Sequence, residues 1–304
     1  MITGIGCIAY DHVLYTNSNW ADAKGAITKE EFRFGGNVRN SLAAVAALGE
    51  SAAYLGTVSP DPQWKKVISS LEGSGISTDY ISFKDGSHPP LATVVVLKDS
   101  DRYIAFDDSP LWKLTLPPQE KIDAALSKTK LILIDLNTAP QGTLAVVKTA
   151  AMQGIPVVLD AERDGMYTDE FPGVIELASE PILPLNYAKK LTNETEPAQI
   201  LAKLWNPIRT ALIITDGPNG SYSITGPDQA PIHIPAFKVN AVDSNGTGDV
   251  FHGAYAVARV RGKGVMDSIL YATAAAASFI SLLQGSERVP SEEAINKLLT
   301  SARR

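Results

Sequence analysis

Val242-Asp243-Ser244-Asn245-Gly246-Thr247-Gly248-Asp249-Val250-Phe251-His252-Gly253 is the stretch on which the reading of this chain turns. Its first half is small and polar, and its second half opens a helix. From Val250 to Arg261, Phe251, Ala254, Tyr255 and Ala258 recur three and four apart, one apolar stripe along a helix. Gly246 and Gly248 bracket Thr247, so the backbone ahead of the helix is free to turn sharply and to present several N–H groups together. N–H groups in the first turn of a helix have no intrahelical acceptor and carry the positive end of its dipole. Such a turn receives anionic oxygen. Asp249 beside it is a poor ligand for phosphate and a good acceptor for a proton. Phosphoryl transfer to an alcohol needs this pairing, because its loose transition state is stabilised mainly by positioning and charge. A glycine-rich loop capped by Asp249, with no chemistry, is the plainer alternative that spacing alone leaves open.

A second glycine turn precedes a helix near the N-terminus, Gly35-Gly36-Asn37-Val38-Arg39-Asn40, with the helix expected over Val38–Leu48 and stopping at Gly49. Gly36 lets a ligand approach the backbone. Asn37 and Asn40 stand three apart, so both amides can face one pocket; a helix N-cap is the other reading of Asn37. Ile2–Ala9 reads as a buried strand ending at Tyr10-Asp11. Gly4-x-Gly6-x-x-Ala9 within it is not a dinucleotide fingerprint, since too little strand precedes it and no helix follows. Asp11 at the strand's end is placed where ligands of open α/β sheets gather, or is simply a turn aspartate.

Residues 12–34 and a hairpin made by Ala92–Leu97 and Arg102–Phe106 have the patchy alternation of a small β ribbon, expected to form a lid. From Leu131 onward, apolar strands (Leu131–Asp135, Val157–Asp160, Ile182–Leu185, Ala211–Thr215) alternate with helices, which predicts a parallel sheet covered on both faces. Asp135, Asn137 and Asp160 fall at strand ends. Thr215-Asp216-Gly217-Pro218-Asn219-Gly220 is a turn between two strands. His252, inside the anchor helix, reads as a packing or hydrogen-bonding residue.

The chain of 304 residues carries 27 basic and 33 acidic side chains, a net charge of −6, so the basic footprint of a nucleic-acid binder is missing. No apolar run is long enough to span a bilayer and no N-terminal signal is evident, which leads us to expect a cytoplasmic protein without membrane or nucleic-acid partners. The single cysteine, Cys7, excludes an internal disulfide and a cysteine-based zinc site.

Asp243-Ser244-Asn245-Gly246-Thr247-Gly248-Asp249-Val250-Phe251 resembles the Asp-Thr-x-Gly-Ala-Gly-Asp-x-Phe signature of the ribokinase/PfkB carbohydrate kinases, with Ser244 and Thr247 as mild departures. Gly35-Gly36-x-x-x-Asn40 is similar to the family's other signature, and Asn37 brings it nearest to the ketohexokinase and sulfofructose kinase branches. The resemblance covers essentially the whole chain. It implies an α/β fold, a three-layer α/β/α ribokinase-like domain spanning residues 1–304 with a small β-sheet lid at about 12–34 and 88–110. It implies ATP-dependent transfer of a phosphoryl group to a sugar hydroxyl, with Mg2+ and, through Asp243 and Ser244, a monovalent cation such as K+. Asp249 would be the base, with Gly246, Thr247 and Gly248 forming the anion hole. Asp11, Gly36, Asn37, Asn40 and Arg102 would hold the sugar. Thr215, Gly217, Gly220 and Thr273 would line the nucleotide.

The family's Asn-x-x-Glu near the fifth strand is missing; Asn193-Glu194-Thr195-Glu196 matches it literally, but in the following loop. Magnesium would then be held mostly through water and the nucleotide. A ketohexose or a derivative is the expected substrate, and the lid is of a kind that pairs two copies into a homodimer. A nucleoside kinase of the same fold, and a non-catalytic sugar- or nucleotide-binding regulator, stay open as alternatives.

Overall fold

Successive side chains of a strand point to opposite faces of its sheet, and the apolar run Leu131-Ile132-Leu133-Ile134 uses both. Leu131 and Leu133 join one hydrophobic core, Ile132 and Ile134 the other. The two cores lie on either side of a single sheet, which makes three layers. The computed structural model describes residues 1–301 apart from 20, 23, 85, 87, 99–101, 108, 111–113, 163–168, 242–243 and 283–288.

In chain order the elements are strands β1 (Ile2–Ile5), β2 (Ala9–Thr16) and β3 (Ile27–Gly35), helix α1 (Asn37–Ala47), strands β4 (Ala52–Tyr54) and β5 (Gly56–Val58), helix α2 (Pro62–Gly73), and strands β6 (Ile76–Ser77), β7 (Ile81–Phe83), β8 (Leu91–Val96) and β9 (Arg102–Asp107). Then follow α3 (Gln119–Leu126), β10 (Leu131–Asp135), α4 (Thr143–Met152), β11 (Val157–Asp160), α5 (Phe171–Leu177), β12 (Glu180–Pro184), α6 (Leu185–Thr192) and α7 (Pro197–Leu204). The chain finishes with β13 (Leu212–Thr215), β14 (Ser221–Ile224), β15 (Ile232–Ile234), α8 (Thr247–Val260), α9 (Val265–Ile280) and α10 (Glu292–Ser301).

The main sheet has the order β15-β14-β13-β12-β11-β10-β1-β4-β6. It is parallel from β6 to β13, while β14 and β15 are added antiparallel. The series of strands therefore runs two further than Thr215, where the apolar pattern ends. The connection from β1 leads to β4 on one side and that from β10 leads to β11 on the other, and the crevice at such a switch point is where open α/β sheets bind ligands. Helices α1, α8 and α9 cover one face and α3 to α7 the other. Where α1 crosses α8, a Cβ on Gly253 would lie 2.3 Å from the Ser41 carbonyl oxygen, so only glycine permits that approach.

The lid is a separate sheet of order β3-β2-β8-β9. Its strands match the segments expected from the alternating pattern, with one correction. The first strand stops at Ile5, and the chain then turns out of the main sheet, pinned where Cys7 N donates to Thr138 Oγ1 at 2.7 Å. Asp11 therefore lies on the lid strand β2, paired with Arg33 of β3, and not at the end of the first sheet strand. Residues 52–58 likewise divide, β4 joining the main sheet and β5 pairing with β7.

Candidate active site

Two glycine turns meet over the carboxyl ends of β1, β10 and β11. Gly36 caps α1 with φ 95°, and a Cβ there would lie 2.4 Å from the Cys7 carbonyl oxygen. The amide side chain of Asn37 makes no cap; its Nδ2 instead faces Asp160 Oδ2 at 3.5 Å. Gly246 caps α8 in the left-handed conformation, φ 77°, again without a side-chain cap. Asp249 is thus free of capping duty. Asn40 Nδ2, on α1, donates to Asp249 Oδ2 at 2.8 Å, joining the two helix starts.

The cleft between them has a volume of about 730 Å³, within the range of small-ligand sites. Asp11, Gly36, Asn37, Asn40, Ser244, Gly246, Gly248 and Asp249 all line it. Thr247 N bonds back to the Ser244 carbonyl at 3.3 Å, which removes one N–H from the turn. The N–H groups of Gly248 and Asp249 have no acceptor among the described residues, and Gly248 is exposed. Anionic oxygen fits against them.

Charge in this cleft is unusual. Asp249 is 7% exposed, and burial, then the Asp160 carboxylate, raise its pKa to about 7 against the Asn40 hydrogen bond and His252. Asp160 is pushed well above the ordinary carboxylate range by burial and by Asp135 and Glu162, and Asp135 is raised by its own burial. In the lid, burial lifts Asp11 to about 6 while Arg33 pulls it down. A carboxylate poised near neutrality serves as a general base.

The remaining sequence candidates fall elsewhere. Thr215, Gly217 and Gly220 lie on the turn between β13 and β14, beyond Pro184 of β12, and do not line this cleft. Thr273 is buried in α9 and bonds to the Ile269 carbonyl. Asp243 and the Arg102 side chain lie outside the described residues. Asn193 is the left-handed C-cap of α6 and Glu194 pairs with Lys203, so the literal Asn-x-x-Glu match is a helix end. Asn137, at the end of β10, is turned onto Asp135. Glu162 lines the cleft and was missed in the sequence; its only signal there is its place two residues past a strand-end aspartate.

Residues 1–291 match the family model described as pfkB family carbohydrate kinase. The chain belongs to that family. The family's members transfer phosphate from ATP to a sugar alcohol, and this kinase is an ATP-dependent phosphotransferase of the same kind. It is 27% identical to the ribokinase of Bacillus subtilis over 88% of this chain and 87% of that protein. Its fold matches the structure of Arabidopsis thaliana ribokinase complexed with ribose and ATP, with a TM-score of 0.83, 21% identity, and 98% of each chain covered. It also matches Burkholderia thailandensis nucleoside kinase in complex with inosine, with a TM-score of 0.75, 19% identity, and 100% and 99% of the two chains covered. Among the described residues, no helix of the kinase is long and apolar enough to cross a membrane.

Proposed function

We propose that this kinase phosphorylates a hydroxyl of a small neutral sugar, a ketohexose or a derivative of one, with Asp249 as the base. The observation that carries the reading is the 2.8 Å bond from Asn40 to Asp249, which ties the sugar-side turn to the anion-side turn. Asp11 from the lid, with Asn37 and Asn40 from α1, holds hydroxyl groups; the absence of a Cβ at Gly36 leaves the backbone open to them. Asp249 accepts the proton of the attacking hydroxyl late, as the oxygen bonds to phosphorus. The N–H groups of Gly248 and Asp249, at the positive end of α8, stabilise the charge gathering on the transferring phosphoryl group.

Among the described residues no three carboxylate, histidine or cysteine side chains converge to hold a metal. Mg2+ would be supplied with the triphosphate and would neutralise phosphate charge there. Ser244 lines the cleft and is the described residue available to a monovalent cation. The kinase is one domain with the lid as an appendage, and its exposed lid residues Ile27, Phe32 and Phe106 are suited to pairing with a second copy.

Coupled ADP release across ketoses, aldoses, sugar phosphates and nucleosides tests the substrate class. Turnover highest on a neutral ketose is the expected result; turnover confined to nucleosides would favour the second reading, suggested by the likeness to a nucleoside kinase.

A further inference from the structure

The inner face of the lid carries a polar cluster to which the transfer described above gives no part. In the register of β2 on β3, Asp11 stands opposite Arg33, Val13 opposite Glu31 and Tyr15 opposite Lys29. Alternate residues of a strand share a face, so all six side chains are turned the same way. Asp11, Val13, Tyr15 and Arg33 line the cleft. Glu31 is the hub of the cluster. Its Oε1 accepts from the Tyr15 hydroxyl at 2.8 Å and from Arg33 Nε at 2.6 Å, and Arg33 Nη2 bonds to the same oxygen. Its Oε2 faces Lys29 Nζ at 2.7 Å. Arg33 Nη2 also donates to the Tyr15 hydroxyl at 2.7 Å.

This clamp leaves part of the guanidinium open. Among the described residues Arg33 Nη1 makes no hydrogen bond, and the side chain is 28% exposed. Asp11 does not take it up. No ion pair joins the two among the described residues, and the Asp11 carboxylate leans over Gly35, where a Cβ would lie 2.8 Å from Oδ2. The lid therefore presents an oxygen acceptor from β2 and an N–H donor from β3 side by side, the two kinds of partner that hydroxyl groups use. Arg33 keeps its charge at any working pH, so the donor is always present. That charge is already balanced by Glu31. A phosphate or carboxylate would have to displace Glu31 from the guanidinium, whereas an uncharged oxygen only fills the open N–H position.

We propose that Arg33 is a specificity-determining residue of the sugar site: locked by Glu31 and Tyr15, it offers Nη1 to one uncharged hydroxyl of the sugar, beside the hydroxyl held by Asp11. Glu31 and Tyr15 are positioning residues that act through it. A planar fork already fixed on one edge loses little side-chain freedom when the sugar arrives. The role rests on the sugar-kinase reading above and deepens it, adding a contact from β3 to those from β2 and α1.

The test takes the neutral sugar with the highest kcat/KM in the panel above, together with its monodeoxy analogues, and measures kcat and KM. The enzymes are the wild type, Arg33→Gln, Arg33→Lys, Glu31→Gln and Tyr15→Phe. Arg33→Gln should raise sugar KM ~10–100-fold, with ATP KM and kcat within about three-fold of the wild type. Arg33→Lys should not restore it, since a single nitrogen cannot bridge Glu31 and Tyr15 and also reach the sugar. Glu31→Gln and Tyr15→Phe keep Arg33 but loosen it, and should raise sugar KM by roughly 2–10-fold. One monodeoxy analogue should bind the wild type more weakly than the parent sugar and Arg33→Gln no more weakly, because residue and hydroxyl are two ends of one contact. An Arg33→Gln enzyme with unchanged sugar KM overturns the proposal. So does a set of analogues that all lose as much on Arg33→Gln as on the wild type. Should Arg33→Gln fail to fold, Tyr15→Phe, one hydroxyl smaller, decides in its place: an unchanged sugar KM there is equally fatal. Failure of the sugar-kinase reading shows separately, as a wild-type enzyme that turns over no sugar in the panel, and the proposal then falls with it.

Discussion

Replacing Asp249 by Asn separates what this carboxylate does for chemistry from what it does to the fold. The native side chain binds its proton more tightly folded than unfolded, because burial and Asp160 raise its pKa from 3.8 to about 7. Its contribution to stability is therefore complete below 3.8 and disappears as pH rises through about 7, above which the fold carries a buried charge. About three units at ~1.4 kcal/mol each come to ~4 kcal/mol, and because Asp160 titrates with it, roughly half, ~2 kcal/mol, falls to Asp249. An amide cannot ionise, so Asp249→Asn should melt about 3 °C above the wild type near pH 8, and the gain should shrink toward zero near pH 4. Turnover should move the other way, with kcat falling ~10²–10⁴-fold for loss of the proton acceptor and little change in sugar binding. Thermal unfolding at the two pH values and coupled ADP release measure both. A variant that melts below the wild type near pH 8, or turns over within about ten-fold of it, refutes the argument.

Three further substitutions probe separate parts of the architecture. Asn40→Ala removes the 2.8 Å bond that holds the Asp249 pKa down, so the acidic limb of kcat/KM should move up by about one pH unit. Gly36→Ala forces a Cβ to within 2.4 Å of the Cys7 carbonyl oxygen at φ 95°; denaturant titration should show a loss of roughly 3 kcal/mol, and sugar KM should rise. Glu180→Gln breaks a fully buried carboxylate's contacts with Arg259 and Tyr255 at the far end of β12, and should cost about 3 kcal/mol of stability without moving that acidic limb.

Much of the architecture was legible because it is written in local patterns. The alternation of apolar strands and helices after Leu131 predicts the parallel sheet, and the two glycine turns mark where helices begin over a ligand. What local pattern misjudged was continuity. Ile2–Asp11 reads as one strand and its turn, yet it divides between two sheets, because only the crossing of β10 beside Cys7 shows where the main sheet must end. Asn37 has the composition of an N-cap, but Gly36 takes that position and frees its amide for the cleft. Thr215, Gly217 and Gly220 keep their turn without reaching the cleft, since the requirement at Gly220 is set by β15, whose Ile234 oxygen would lie 2.0 Å from a Cβ there.

By itself, the sequence determined that an anion-binding helix start would stand beside a carboxylate, because glycine spacing and helix periodicity act within a dozen residues. Tertiary structure alone decided what that carboxylate would be. Its company is an amide 209 positions earlier in the chain, a buried imidazole, and an aspartate from a neighbouring strand. Proton affinity depends on burial and on charges within a few ångströms, and no one-dimensional pattern carries those distances.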